Sequence, residues 1–237
     1  MADAMMQKKD FFKALQEARR PAHSSGHPFS NAWKGGELTR SQLGEWATQQ
    51  YYYIEEVSQM FAALLARLPD LDARLHMLEN LVGEETPGAR HPDLLLKFAA
   101  ACGRDPEGVK TAWLDGGIFP GTMAMRSWTW ELATHRELCE AAAGIMIALE
   151  GQTPYIYPDY IAACGKMGFT DDELEFFHVH VEADIEHEDH GLEICNRYAT
   201  TPELQRRSLA MVHASARMRY NMLTGLWHSF AMDQAAE

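Results

Sequence analysis

Basic residues are scarce in this chain. Lysine and arginine total 21 against 34 aspartates and glutamates, a formal charge of −13, and no basic run exceeds an arginine pair (Arg19-Arg20, Arg206-Arg207). A balance of that sign argues against nucleic acid or an anionic membrane as partner. Long apolar runs are missing as well, none approaching the roughly 20 residues that a membrane-crossing helix needs. The cysteines Cys102, Cys139, Cys164 and Cys195 are scattered without CxxC spacing, and the opening MADAMMQKKDFF lacks the apolar stretch of a secretion signal. A reduced, soluble, cytoplasmic protein is expected. Strand patterning is also lacking: no segment alternates with period two for long, and no Asn-Gly or Asp-Gly turn separates two β-rich runs.

What the chain does have is helical periodicity. Hydrophobic residues make up 46% of 237 positions, enough for the core of one compact domain spanning 1–237. Residues 8–20 form an amphipathic helix that Pro21 and HSSGHPFS interrupt. From Thr39 to Leu68, apolar positions such as Leu43, Trp46, Ile54, Val57, Phe61 and Leu64 recur at three- and four-residue intervals, which predicts one long helix. LDARLHMLENLVGEE predicts the next, broken by Pro87 and Gly88, and another begins near Pro92. Residues 123–168 read as two helices in sequence, with Glu150 inside an apolar run. Thr170 to Glu173 resembles a cap opening a helix over 171–199, and Thr201-Pro202-Glu203 opens the last, to about Phe230. The expected fold is all-α, a compact bundle of seven to eight helices whose interior can hold a metal site built from facing helices.

The richest stretch is HVHVEADIEHEDH, His178 to His190, with four histidines and five carboxylates. At about 100° per residue, His180, Asp184 and His187 fall within roughly 60° of one another on one face, whereas His178 and Glu182 point to the opposite side. Two imidazoles and a carboxylate on one stripe suit iron, manganese or zinc. The competing reading is a solvated acidic helix face. Isolated polar residues elsewhere tip the balance. Glu150 follows GIMIAL, where an unpaired buried carboxylate would be costly. Glu84 and His91 bracket the break at TPGAR, where irregular backbone can aim both side chains inward. Glu84, His91, Glu150, His180, Asp184 and His187 together suit two iron ions with positions left open for O2.

The blocks WKGGELTRSQLGEWATQQYYY, LPDLDARLHMLENLVGEE, HPDLL and LEGQTPYIY, spread over nearly the whole chain, resemble the CADD-like branch of the heme-oxygenase-like di-iron oxidases and oxygenases. That superfamily is related to the pyrroloquinoline-quinone synthase PqqC and to thiaminase II. The resemblance implies a heme-oxygenase-like helical fold and two metals, both iron or manganese with iron. Its ligands map onto Glu84, His91, Glu150, His180, Asp184 and His187. It implies an O2-dependent oxidoreductase acting on a small amino-acid-like or carboxylic-acid-like substrate, with an external electron donor possible. It also suggests a homodimer, to which apolar Leu226, Trp227 and Phe230 add weak support. Tyr51 matches a tyrosine near the metals in that branch and is the candidate redox relay. Glu85 is a weaker substitute for Glu84, because the seven-residue spacing to His91 selects the latter. Two positions depart from the branch: its self-consumed tyrosine and a helix lysine fall here on Ser30 and Tyr160, which puts the self-sacrificing reaction in doubt. The rival readings are a cofactor-free oxidase of the PqqC kind and a non-enzymatic interaction protein. His27 reads as a turn or pocket-wall residue and Cys139 as a small buried one.

Overall fold

A computed structural model describes residues 4–236. Among them are twelve α-helical segments and no strand: α1 Lys8–Ala18, α2 Pro28–Gly35, α3 Arg40–Ile54, α4 Val57–Arg67, α5 Leu71–Glu84, α6 His91–Ala101, α7 Pro106–Thr111, α8 Pro120–His135, α9 Leu138–Ala142, α10 Tyr157–Lys166, α11 Glu175–Tyr198 and α12 Pro202–Ala236. The all-α expectation holds, with more and shorter helices than the periodicity suggests.

The largest difference lies in the helix expected over 39–68. It starts as expected on a capping box of Thr39 and Gln42, but it breaks at Glu55-Glu56 into α3 and α4. The cause is Arg126 of α8. Its guanidinium takes the Tyr52 carbonyl at 2.9 Å and the Glu55 carboxylate at 3.0 Å, and it binds Glu56 through two nitrogens. Trp130 Nε1 adds a bond to Glu56 at 2.6 Å. The freed backbone acceptor and both acids are thus satisfied by a residue some seventy positions away, which no local pattern reveals. Arg126→Ala strands this half-buried pair of acids and is expected to cost about 1–3 kcal/mol in chemical denaturation.

α11 runs through the middle of the bundle, packed by α5, α6, α9 and α10 and by the segment between α9 and α10. That segment is a π-helical turn, Ala143–Ile147, followed by a 3-10 stretch, Glu150–Tyr155. Small residues let it approach closely. A Cβ on Gly191 of α11 would stand 2.6 Å from the Cβ of Met146, and one on Gly144 would meet Leu132 at 2.6 Å. Gly191→Ala is therefore expected to destabilise by about 1–3 kcal/mol through overpacking, read as a lower denaturation midpoint with unchanged slope. An aromatic cluster of Trp33, Trp46, Phe98, Tyr157, Tyr160, Phe176 and Phe177 fills one end of the core. Leu226 and Phe230 are buried in this chain's own core and Trp227 packs against it, so these residues give no support to a second copy.

Candidate metal centre

α5 shows how the fold builds the centre. Its outward face carries Leu71, Leu75, Leu78 and Val82, all at least 46% exposed, while its inward face carries Ala73, Met77, Asn80 and Glu84. Hydrophobicity alone would turn this helix the other way. The inward face places Glu84, 2% exposed, at the last residue of the helix. The chain then turns through Gly88, whose φ of 85° favours glycine, and His91 opens α6 with Pro92 behind it. The helix break thus brings a ligand from each of its ends to one point.

Glu150 arrives differently. It is not in mid-helix but begins the 3-10 stretch just beyond the π turn, where the irregular backbone directs it at α11. On α11, His180, Asp184 and His187 are buried, whereas His178 and Glu182 are exposed, as the angular count predicts; Glu186, between the two faces, is exposed as well. The structure gathers all six predicted ligands. One ligand atom each from Glu84, His91 and His180 lie within 4.8 Å of one another, and so do one each from Glu84, Glu150 and His187. Glu84 belongs to both groups. Asp184 joins the second, its Oδ1 standing 3.2 Å from His187 Nδ1. Glu85, by contrast, points away to Arg90 and Ser58.

The polar atoms face one another without pairing. His91 Nδ1 is 2.9 Å from Glu84, and His187 Nδ1 is 3.4 Å from Glu150. Yet His91 Nδ1, Glu150 Oε2, Asp184 Oδ1 and His187 Nδ1 are all buried without an aligned hydrogen bond. Four such atoms in one place would be costly to desolvate unless a cation sat among them. Surrounding groups hold the side chains in ligating form. His180 Nδ1 is 2.6 Å from the Phe176 carbonyl, which only accepts, so the proton sits there and Nε2 is free to ligate. The Thr153 hydroxyl donates to Asp184 Oδ2 while lying 3.0 Å from the Glu150 carbonyl oxygen, a support absent from the sequence reading although it lies in the GQTP block. Burial lowers the pKa of His180, keeping it neutral. Burial also drives the Glu150 carboxyl up, with His187 opposing. For His187, burial is outweighed by Glu150 and Asp184, which raise it and leave a proton where a metal could sit.

A match to the family described as iron-containing redox enzymes covers residues 44–220, and so all six of these positions. The chain belongs to that family. This redox enzyme is 30% identical to a 4-aminobenzoate synthase of Nitrosomonas europaea over 91% of its own length and 90% of the relative's. It is 25% identical to a pyrroloquinoline-quinone synthase of Pseudomonas aeruginosa, covering 99% and 93% of the two chains. In structure it matches a heme-oxygenase-like protein of Shewanella denitrificans with a TM-score of 0.79 at 17% identity, over 99% of this chain and 97% of that one. The heme-oxygenase-like fold and the kinship with both synthases agree with the sequence resemblance.

The two tyrosines on α3 differ in surroundings. Tyr51, the expected relay, has Glu55, Lys110, Asp93 and Arg90 as its charged neighbours and no metal-site ligand among them. Tyr53 is buried, and Glu150 and Glu84 are among the charges acting on its phenol; burial drives its pKa far up and keeps it protonated. Its position two residues along, on another face of the same helix, is what the sequence could not rank. His27 caps α2 by accepting from Phe29 N–H at 3.0 Å and Cys139 is buried, both as expected. Among the described residues no helix is long and apolar enough to cross a membrane.

Proposed function

We propose that this redox enzyme holds two iron ions and uses them to activate O2 against a small organic substrate. The observation that carries the reading is the convergence of five buried side chains in two groups sharing Glu84, with Asp184 3.2 Å from His187 and four polar atoms left unpaired among them. His91 and His180 would hold one ion and Glu150, Asp184 and His187 the other, with Glu84 common to both. The donor set of three carboxylates and three imidazoles also suits manganese in one position. Bound Fe(II) supplies the electrons for O2 chemistry, while the protein supplies orientation, protons and exclusion of water. The Phe176 carbonyl and the Thr153 hydroxyl fix His180 and Asp184. Phe61, edge-on to His187 at 6.0 Å, and Phe176, 4.3 Å from His180, wall the centre off from solvent. Two buried, protonated phenols are candidates for the relay role: Tyr53 on α3, on which Glu150 and Glu84 act, and Tyr157, whose ring lies 6.0 Å from that of His180.

The substrate is external in this proposal. Tyr160 donates to Ser30 at 2.7 Å, so the two positions that depart from the CADD-like pattern contact one another. A buried phenol stacked on Trp33 at 4.0 Å cannot act as a lysine amine, and Ser30 offers no ring to consume. A cleft of about 680 Å³ beside the Glu150 turn is lined by Lys13, Glu17, Arg19, Arg20 and Tyr155; Lys13 pairs with Glu17 at 3.8 Å and Arg19 with Glu188, which leaves Arg20 as the lining cation for a carboxylate-bearing substrate. Arg19 forms its inner wall, reaching the Ile147 carbonyl at 2.8 Å and Glu188 at 2.9 Å.

The test is anaerobic titration of metal-free protein with Fe(II), followed by oxygenated buffer. The expected result is two equivalents bound per chain and an O2-dependent visible absorbance transient. Binding of less than one equivalent, with substrate oxidation intact, would instead identify a cofactor-free oxidase.

A further inference from the structure

A third group of metal-ligating side chains lies outside that centre. His76 and Glu79 are three residues apart on α5, and His190 is on α11; one ligand atom from each falls within 4.8 Å of the other two. His190 Nε2 stands 3.7 Å from Glu79 Oε2, and the His76 and His190 ring centroids are 4.3 Å apart. His190 is oriented from behind. Its Nδ1 is 2.8 Å from Asn80 Oδ1, an acceptor, so the proton resides on Nδ1 and the Nε2 lone pair faces Glu79 and His76. This is the arrangement by which an outer hydrogen bond fixes a metal-binding imidazole.

We propose that His76, Glu79 and His190 form a separate site for a zinc-like divalent cation, which clamps α5 to α11. Two imidazoles and one carboxylate are a common zinc donor set, and the half-exposed position leaves room for water as the fourth ligand. Tetrahedral bonds of about 2.0–2.1 Å put ligand atoms roughly 3.4 Å apart. The Glu79–His190 separation of 3.7 Å is already close to that spacing, and no pair needs to contract by more than roughly an ångström and a half. Glu186, one turn before His190 on α11, adds negative charge beside the site, which favours a cation there. The clamp has a structural consequence. Glu79 lies five residues before Glu84 and His190 one turn after His187, so an ion here would fix the spacing of the two helices that carry most of the iron ligands.

The experiment loads the protein anaerobically with Fe(II) and then titrates it with zinc sulfate by calorimetry, with metal content measured after desalting. His76→Ala and Glu79→Gln run in parallel. Both change partly or fully exposed side chains outside the iron centre, so folding and iron content should be unchanged. The expected result is one additional zinc per chain in the native protein, bound at least tenfold more weakly by each variant, with a zinc-dependent rise in melting temperature that His76→Ala lacks. Equal zinc binding by all three proteins, or zinc gained only as iron is lost, overturns the proposal. The native-minus-variant difference is independent of how much iron the main centre holds, so failure of the di-iron reading and failure of the clamp are separately visible.

Discussion

His187→Ala is expected to retain less than one iron per chain and to lose O2-dependent turnover by more than about 100-fold, since loss of an outer partner of a metal ligand alone typically costs 10–100-fold. His187 Nδ1 stands 3.2 Å from Asp184 and 3.4 Å from Glu150, so its removal leaves two buried carboxylates facing one another across the vacated space. Some loss of stability will accompany the loss of metal, and His187→Gln, which preserves bulk, separates the two effects. The control lies on the same helix. His178→Ala and Glu186→Gln alter exposed residues of the same acidic stretch and are expected to leave iron content unchanged. Iron measured by mass spectrometry on desalted protein decides the matter. If the outward variants lose as much iron as His187→Ala, the stretch is a diffuse acidic surface and not one side of a built centre.

The second large effect is on stability against pH, with opposite behaviour expected for metal-free and iron-loaded protein. In metal-free protein, burial raises the pKa of Glu150 above its ordinary 4.5, an effect that His187 opposes. For His187 and His91, burial acts downward, but the adjoining carboxylates outweigh it and raise both above 6.5. In each case the folded state holds a proton that the unfolded chain has already released. Folded stability therefore falls as pH rises, from about 4.5 upward for Glu150 and from about 6.5 upward for the histidines. Asp184 has the reverse sign. Burial raises it, His187 and Thr153 lower it further, and its contribution is lost only as pH drops below its ordinary 3.8. Four histidines act the other way: burial lowers His180, His190, His23 and His27, so below about pH 6.5 the unfolded chain holds protons that the folded state has released, and their contribution is complete once pH passes that range; above about pH 7 His187 and His91 set the slope.

Iron bound at this cluster would replace those protons, so its affinity would grow with pH and it would stabilise the fold by mass action. Scanning calorimetry at pH 7 and pH 8.5 should show the metal-free protein melting several degrees lower at the higher pH, each kcal/mol being worth roughly 2–4 °C at this size. The anaerobically iron-loaded protein should hold level or rise. Parallel curves for the two forms would mean that the buried cluster does not exchange protons for metal.

The sequence by itself determined what helix geometry fixes locally. The all-α class followed from period and the lack of alternation, and the His180, Asp184 and His187 stripe followed from 100° per residue, because both depend only on the rise and turn of one segment. The isolated acids and the break at TPGAR singled out Glu84, His91 and Glu150, and the family resemblance placed all six in one ligand set. Only the tertiary structure decided what depends on partners distant in the chain. Arg126 splits the helix at Glu55-Glu56 from about seventy residues away. α5 turns its leucines outward and Glu84 inward because Glu84 and Asn80 meet α11, which outweighs the helix's own hydrophobicity. Tyr53 lies among charges that include Glu150 and Glu84 while those acting on Tyr51 include Glu55 and Asp93, and Thr153 supports Asp184, because two residues of helical rotation and one 3-10 turn set the direction of a side chain. Residue type and spacing name the candidate ligands, but whether their atoms converge is fixed by how neighbouring helices rotate to satisfy one another.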